Sequence, residues 1–288
     1  MQKGALVLEG GSLRGLFTAG VLDVLMDGQI WFEYVNGVSA GSLCGYNYIA
    51  RQPGRTRDID VTFCADRRFL GLNNLLRNGG VFNFNFLFGE VANVLNPLDK
   101  ATFAASPQIF EAVATDCLTG QPKYFRKGTM PSADFELACR ASSSMPGLSE
   151  IVYIDGVPYL DGGCACPIAY HRAMALGYEK RVVVLTRPAG YRKKPQISRG
   201  LEKTARRLYA RRYPAFFAAL REINRRYNAQ YTELERLERE GEVFLLRPAE
   251  PVLVGRLERH ADKLEALYQQ GRNVCMERLE DLMRYLNT

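Results

Sequence analysis

The sequence holds only two histidines and one tryptophan, and no apolar run reaches the roughly 18 residues that span a bilayer. Scarce histidine narrows the ways to build a Ser-His-Asp triad. His171 falls on a predicted helix, and His260 sits among Arg256, Glu258 and Arg259, where a histidine is more often solvated than catalytic. The seven cysteines are odd in number and scattered through apolar segments. Cys164 and Cys166 form C-x-C rather than C-x-x-C, and no second Cys/His pair lies at zinc spacing, so neither a metal nor a cofactor is expected. Buried, reduced thiols imply a reducing compartment. Met1-Gln2-Lys3-Gly4 runs straight into Ala5–Leu8, without the basic and long apolar stretches of a secretion signal. A cytoplasmic protein is expected, with membrane contact only peripheral. No internal repeat interrupts the chain.

What is present suits a globular protein. Hydrophobic residues make up 47% and charged residues 24% of 288, which places the chain outside the disordered and fibrous classes. One large α/β domain with appended helices fits better than two equal halves. Lys and Arg exceed Asp and Glu by 38 to 31, a net charge of +7, with much of the excess beyond Tyr191. A basic face can meet an anionic membrane, an acidic substrate or nucleic acid, or simply be solvated. Glutamates interleave the pairs Arg206-Arg207, Arg211-Arg212 and Arg225-Arg226, which breaks up any continuous phosphate track, so nucleic acid is not expected as a partner.

The order of elements alternates. Ala5–Leu8 is a short apolar run ending in glycines, the signature of a strand covered on both faces in a parallel sheet. Helical spacing of Leu16, Val21, Leu22 and Leu25 predicts a helix that stops at Asp27-Gly28, and Tyr34-Val35 begins a second strand. Residues 43–50 follow as a helix, completing strand, helix, strand, helix. Residues 54–108 are less regular: 58–70 reads as helical, 81–86 alternates apolar and polar, and its aromatics suit either core packing or a cover over an apolar ligand site. Residues 109–115 and 121–126 read as strands, and 151–154 with 157–160 form a hairpin across Asp155-Gly156, a dipeptide that accepts a type I′ turn. Residues 181–186 are the last convincing core strand. Beyond it, 198–240 reads as a helical hairpin or a helix kinked at Pro214, 243–246 as a short strand, and 260–285 as an amphipathic helix. The expected fold is α/β, a mainly parallel central sheet flanked by helices, over residues 1–190, with a mostly helical extension over 191–288 packed on it.

Three short motifs carry chemistry. Gly10-Gly11-Ser12-Leu13-Arg14-Gly15 stands where a buried strand gives way to a helix, so its N–H groups lie near a positive helix end that favours negative charge. A dinucleotide loop uses the same geometry, but Ser12 occupies the place of the second glycine in G-x-G-x-x-G, and a plain structural turn fits as well. Gly37-Val38-Ser39-Ala40-Gly41 matches the nucleophile elbow, in which small flanking residues permit the tight strand-to-helix turn that lifts a serine clear of the sheet. A serine needs an adjacent base. Asp161, at the end of a strong strand and followed by Gly162-Gly163, is the candidate, although an Asp before Gly more often caps a turn.

Together these motifs resemble the patatin-like phospholipase family over roughly residues 5–190, and Ala141–Pro146 resembles the small-residue and proline segment that precedes the family's aspartate. The resemblance implies a Ser–Asp dyad in which Ser39 attacks an ester carbonyl and Asp161 takes its proton, with no histidine required. It implies an oxyanion hole from backbone N–H groups of Gly10, Gly11 and Ser12, with Arg14 as the glycine-loop arginine and Gly15, Gly37, Gly41, Gly162 and Gly163 as supports. An acyl-lipid substrate, a phospholipid or lysophospholipid, and lipid degradation follow as expectations. The chain departs from the family after Asp161-Gly162-Gly163, where Cys164-Ala165-Cys166-Pro167 keeps a proline but lacks the asparagine often found near it. The alternative is a catalytically silent lipid-binding protein whose segment 199–239 contacts an anionic membrane.

Overall fold

The computed structural model describes residues 1–288 and the side chains of all but residues 72, 76, 78, 132 and 133. In chain order, β1 (Gln2–Leu8) passes through a 3-10 turn at Ser12–Arg14 into α1 (Gly15–Asp27), and β2 (Phe32–Val38) leads into α2 (Ala40–Ile49). Next come α3 (Arg55–Phe63), α4 (Leu72–Asn78), a π-helix at Phe86–Leu95, α5 (Lys100–Ala105), β3 (Ile109–Asp116) and β4 (Pro122–Arg126). They are followed by α6 (Ser132–Ser143), β5 (Val152–Ile154), β6 (Val157–Asp161), α7 (Tyr170–Ala175) and β7 (Arg181–Val184). The last third comprises α8 (Arg199–Tyr209), α9 (Pro214–Arg221), α10 (Ile223–Arg239), β8 (Phe244–Leu246), α11 (Ala261–Glu277) and α12 (Leu279–Asn287).

One sheet of eight strands runs β5-β6-β3-β2-β1-β7-β8, with β4 also on β3. The five strands from β3 to β8 along that order are parallel, while β4 and the β5–β6 hairpin enter antiparallel. β1 lies inside the sheet and is covered on both faces, which is why it reads as a continuous apolar run. Its alternate residues serve two layers: Leu6 and Leu8 face the cluster with α1 and α2, and Ala5 and Val7 face Ile168, Tyr227 and Tyr231. The β5–β6 turn has Asp155 and Gly156 at φ 50° and 76°, both left-handed, as a type I′ turn requires.

β3 is the template on which two strand ends converge. β2 pairs along it as far as Val38↔Val113, and β4 takes the opposite edge over Glu111–Thr115. β6 therefore joins on the β2 edge, beginning where β2 leaves off, at Ala114↔Asp161. The ends of two strands from distant parts of the sequence meet at neighbouring residues of a third.

The chain beyond 191 is built into this architecture. β8 extends the sheet in parallel with β7, Val182 opposite Phe244. α11 crosses α1 where Gly20 and Gly271 face each other's backbones: a Cβ on Gly20 would strike the Tyr268 carbonyl, and one on Gly271 the Phe17 carbonyl. Tyr268 also donates to Asp23 at 2.7 Å across the same contact. Residues 198–240 form three helices rather than a hairpin or one kinked helix. Pro214 opens α9 at its first turn, where its missing N–H costs nothing, and α9 gives way to α10 at Glu222. The helix expected over 260–285 divides at Arg278, and that expected over 58–70 ends at Phe63. Residues 81–86 join no sheet. A single bridge links Leu70 and Phe82, and the aromatics turn inward, Phe69 against Phe82 and Phe63 against Phe86, with ring centres 5.7 and 5.5 Å apart.

Candidate active site

Ser39 follows directly on β2 and precedes the first residue of α2, with φ 54° and ψ −125°, a conformation that L-residues rarely adopt. The surroundings make it possible. A Cβ on Gly41 would collide with the Leu8 carbonyl, so only glycine lets α2 start this close to β1. The Ser39 amide donates to Ser142 Oγ at 2.9 Å, and that hydroxyl donates to the Val113 carbonyl at 2.6 Å, tying the elbow to β3 through α6.

Ser39 Oγ donates to Asp161 Oδ2 at 2.8 Å. The other carboxylate oxygen, Oδ1, accepts the Gly163 amide at 2.8 Å, so Asp161 caps the turn after β6 and holds the serine at once. Its backbone is fixed as well: its amide donates to the Ser144 carbonyl, and its carbonyl accepts Thr115 Oγ1, both at 2.8 Å. Both side chains are buried, Ser39 9% and Asp161 8% exposed. Burial raises the Asp161 pKa above the ordinary carboxylate value, opposed by the Gly163 amide, Ser39 and, through space, Arg256 and Lys193.

The glycine-rich turn lies alongside. An added Cβ on Gly10 would stand 2.9 Å from Ser39 Cβ, so the backbone itself approaches the serine. Among the described residues, no protein group accepts the amides of Gly10, Gly11 or Ser12. The Arg14 amide is already used, donating to the Gly11 carbonyl at 3.2 Å, whereas the buried guanidinium has an Nε without a partner among the described residues. Burial, then the charges of Arg187 and Arg256, lower the Arg14 pKa to about 10. Ser12 Oγ donates to the Arg256 carbonyl at 2.6 Å and so joins the turn to the loop before α11.

Two cavities meet at this point, and Ser12 and Ser39 line both. One, of about 100 Å³, is mostly apolar, walled by Leu13, Leu43, Phe82, Phe84 and Phe88 among others; the irregular segment 54–108 thus covers it. The other, of about 460 Å³, holds Asp161 together with Glu9, Arg14, Arg187, Lys193 and Arg256. Sequence reasoning overlooked Glu9, Arg187, Lys193 and Arg256, and singled out Ser142 only as part of the segment 141–146. Arg187 lies three residues past β7, at the carboxyl end of a parallel strand where ligands gather, and that rule pointed to it. Arg256 stands in an irregular loop and carries no such signal. The two histidines are elsewhere: His171 meets Glu233 at 3.1 Å and His260 meets Glu258 at 2.6 Å. All seven cysteines are buried and free. Among the described residues there is no cluster of three or more metal-ligating side chains, and no helix is long and apolar enough to cross a membrane.

A mainly parallel α/β sheet thus carries a serine at a strand-to-helix elbow, bonded to a buried aspartate beside a glycine turn, and among the described residues no histidine touches the pair. The family model described as patatin-like phospholipase matches residues 6–171, and the chain belongs to that family. A second model, a domain of unknown function, matches residues 213–287. Protein YjjU of Escherichia coli K12 is 32% identical over 204 residues, 69% of this chain and 56% of that protein. An NTE family protein of Mycobacterium tuberculosis H37Rv is 26% identical over 167 residues, 57% of this chain and 43% of that one. The chain spans about half the length of these relatives. The crystal structure of VipD from Legionella pneumophila superposes with a TM-score of 0.51 at 12% identity, covering 96% of this chain and 67% of that one, a likeness of fold.

Proposed function

We propose that this protein is a serine acyl hydrolase that cleaves carboxylic ester bonds of acyl lipids, phospholipids or lysophospholipids, through an acyl-enzyme on Ser39. The observation that carries this reading is the 2.8 Å bond from Ser39 Oγ to Asp161 Oδ2 in a buried site. In acylation, Ser39 Oγ attacks the ester carbonyl carbon while its proton passes to Asp161. The negative charge that develops on the carbonyl oxygen is received by the amides of Gly10, Gly11 and Ser12, whose N–H groups have no competing acceptor among the described residues. Collapse of the tetrahedral intermediate breaks the ester C–O bond, and the leaving alcohol takes the proton from Asp161. A water then gives its proton to Asp161, attacks the acyl-enzyme and releases a fatty acid, and the proton returns to Ser39. The acyl chain fits the apolar cavity on one side of Ser39 and the alcohol portion the polar cavity on the other. Incubation with a mixed lipid extract tests this: wild type releases free fatty acids and Ser39→Ala does not. Equal release by the two proteins, or none from folded wild type on any acyl ester, contradicts the reading.

A further inference from the structure

The polar cavity beside Ser39 carries more positive charge than its own acids can balance. Arg14, Arg187, Lys193 and Arg256 line it, facing the carboxyls of Glu9 and Asp161. Among the described residues none of the four cations has an ion-pair partner within 4.0 Å; Arg172 and Arg192, outside the cavity, pair with Glu111 and Glu235, while other cations without a pair, such as Arg207 and Arg211, stand exposed at the surface rather than gathered in one cavity. Glu9 is committed at the back of the site: it is buried and accepts the Thr186 amide at 2.6 Å. Like charges gathered without partners repel one another and pay for their own desolvation, so such a cluster is stable chiefly when an anion joins it. Burial, first, and the neighbouring arginines lower the Lys193 pKa to about 8, with Glu9 opposing.

The cluster is also held in place. Lys193 is clamped at its backbone by Asn228, which accepts its amide and donates to its carbonyl at 2.8 Å each, and its ammonium lies 3.6 Å from the centre of the Tyr227 ring. Arg256 is positioned by its carbonyl, which accepts Ser12 Oγ from the glycine turn. Arg187 stacks on Tyr191 at 4.5 Å. These residues come from loops after β1, β7 and β8, the carboxyl ends of parallel strands. Three of the four cations lie beyond the family-matched segment 6–171, and Arg256 lies within the second matched segment, 213–287.

We infer that this four-cation cavity binds the phosphate of an anionic lipid headgroup and makes the protein select anionic over zwitterionic phospholipids. The assignment rests on the hydrolase reading for its orientation, since the same serine borders the apolar cavity where the acyl chain lies. A phosphate without a compensating amine supplies the missing charge and can accept from guanidinium groups in pairs. A choline headgroup would bring its own cation against Arg187 and Arg256.

Binding to Ser39→Ala separates this inference from catalysis. Dihexanoyl phosphatidylglycerol and dihexanoyl phosphatidylcholine, both kept monomeric, are titrated by calorimetry, with inorganic phosphate as a third titrant. Phosphatidylglycerol is expected to bind at least about tenfold more tightly than phosphatidylcholine, the scale of one charge-assisted contact. Adding Arg187→Gln, Lys193→Gln and Arg256→Gln together is expected to erase that difference. Should the triple variant fail to melt cooperatively, Arg256→Gln alone, at an exposed position, is expected to lose several-fold. No binding of phosphatidylglycerol, equal binding of the two lipids, or a preference that survives the substitutions overturns the inference. Inorganic phosphate binding as tightly as phosphatidylglycerol would assign the cavity to free phosphate and also overturn it. Anion preference in a protein with no esterase turnover would leave this inference standing while the hydrolase reading falls, and turnover without preference would do the reverse.

Discussion

Ser39 is held at φ 54° by its backbone contacts, and its hydroxyl donates to Asp161. If Asp161 is the base, Asp161→Asn keeps the size of the group but removes the proton acceptor, and ester turnover is expected to fall roughly 10,000-fold with the melting transition retained. The pH profile gives a second check. Only the ionised carboxylate accepts a proton, and burial raises its pKa, so the acid limb of kcat/KM on a neutral ester is expected above the ordinary aspartate value of about 4. A limb at or below that value would remove Asp161 from the base role. At this scale the sequence was informative about Ser39 and Asp161 because each sits in a short, local pattern imposed by backbone geometry. What unites Arg187, Lys193 and Arg256 is a shared cavity, and loop residues about 70 positions apart carry no local signature of that; the place of Arg187 just past β7 was the one cue.

Ser39 and Asp161 are brought together at the edge of β3, with the glycine turn after β1 alongside Ser39. β6 takes over the edge of β3 where β2 ends, so the register of two ladders sets the distance between serine and aspartate. Ser142 fastens this junction, and Ser142→Ala leaves the Ser39 amide and the Val113 carbonyl without that bridge. A loss of about 1–3 kcal/mol in unfolding free energy is expected by chemical denaturation. Gly10→Ala tests the turn: its methyl would press on Ser39 Cβ, and kcat is expected to drop about 100- to 1,000-fold, comparable to removing one oxyanion donor. Unchanged kcat would show that the turn takes up the methyl without displacing Ser39 or the neighbouring amides. Strands were legible where burial on both faces or a tight turn left a mark, as in Ala5–Leu8 and the Asp155-Gly156 hairpin. Residues 81–86 alternate apolar and polar without forming a strand, because alternation yields one only where a neighbour offers a ladder of hydrogen bonds, and here one bridge and aromatic packing hold the segment.

Across the whole molecule, cations differ in how they are compensated. Many arginines that make the last third conspicuous are spent at the surface on neighbouring glutamates: Arg206 with Glu202, Arg225 with Glu222 and Arg236 with Glu240. Exposed pairs of this kind contribute about 0–1 kcal/mol each. Arg14, Arg187, Lys193 and Arg256 instead line the cleft together without an ion pair among the described residues. The same last third completes the sheet with β8 and locks α11 on α1, so Gly20→Val is expected to lower unfolding free energy by at least about 1–3 kcal/mol in a thermal or denaturant scan, through collision with the Tyr268 carbonyl. The sequence reading expects an extension packed on the core but not this contact, because two glycines 251 positions apart give no periodicity to read. The central claim, that Ser39 is an activated nucleophile, is tested most directly by intact-mass spectrometry after treatment with a fluorophosphonate. One adduct per chain, mapped to the peptide bearing Ser39 and absent from Ser39→Ala, is the expected result; folded wild-type protein that remains unmodified, or is modified elsewhere, would contradict it.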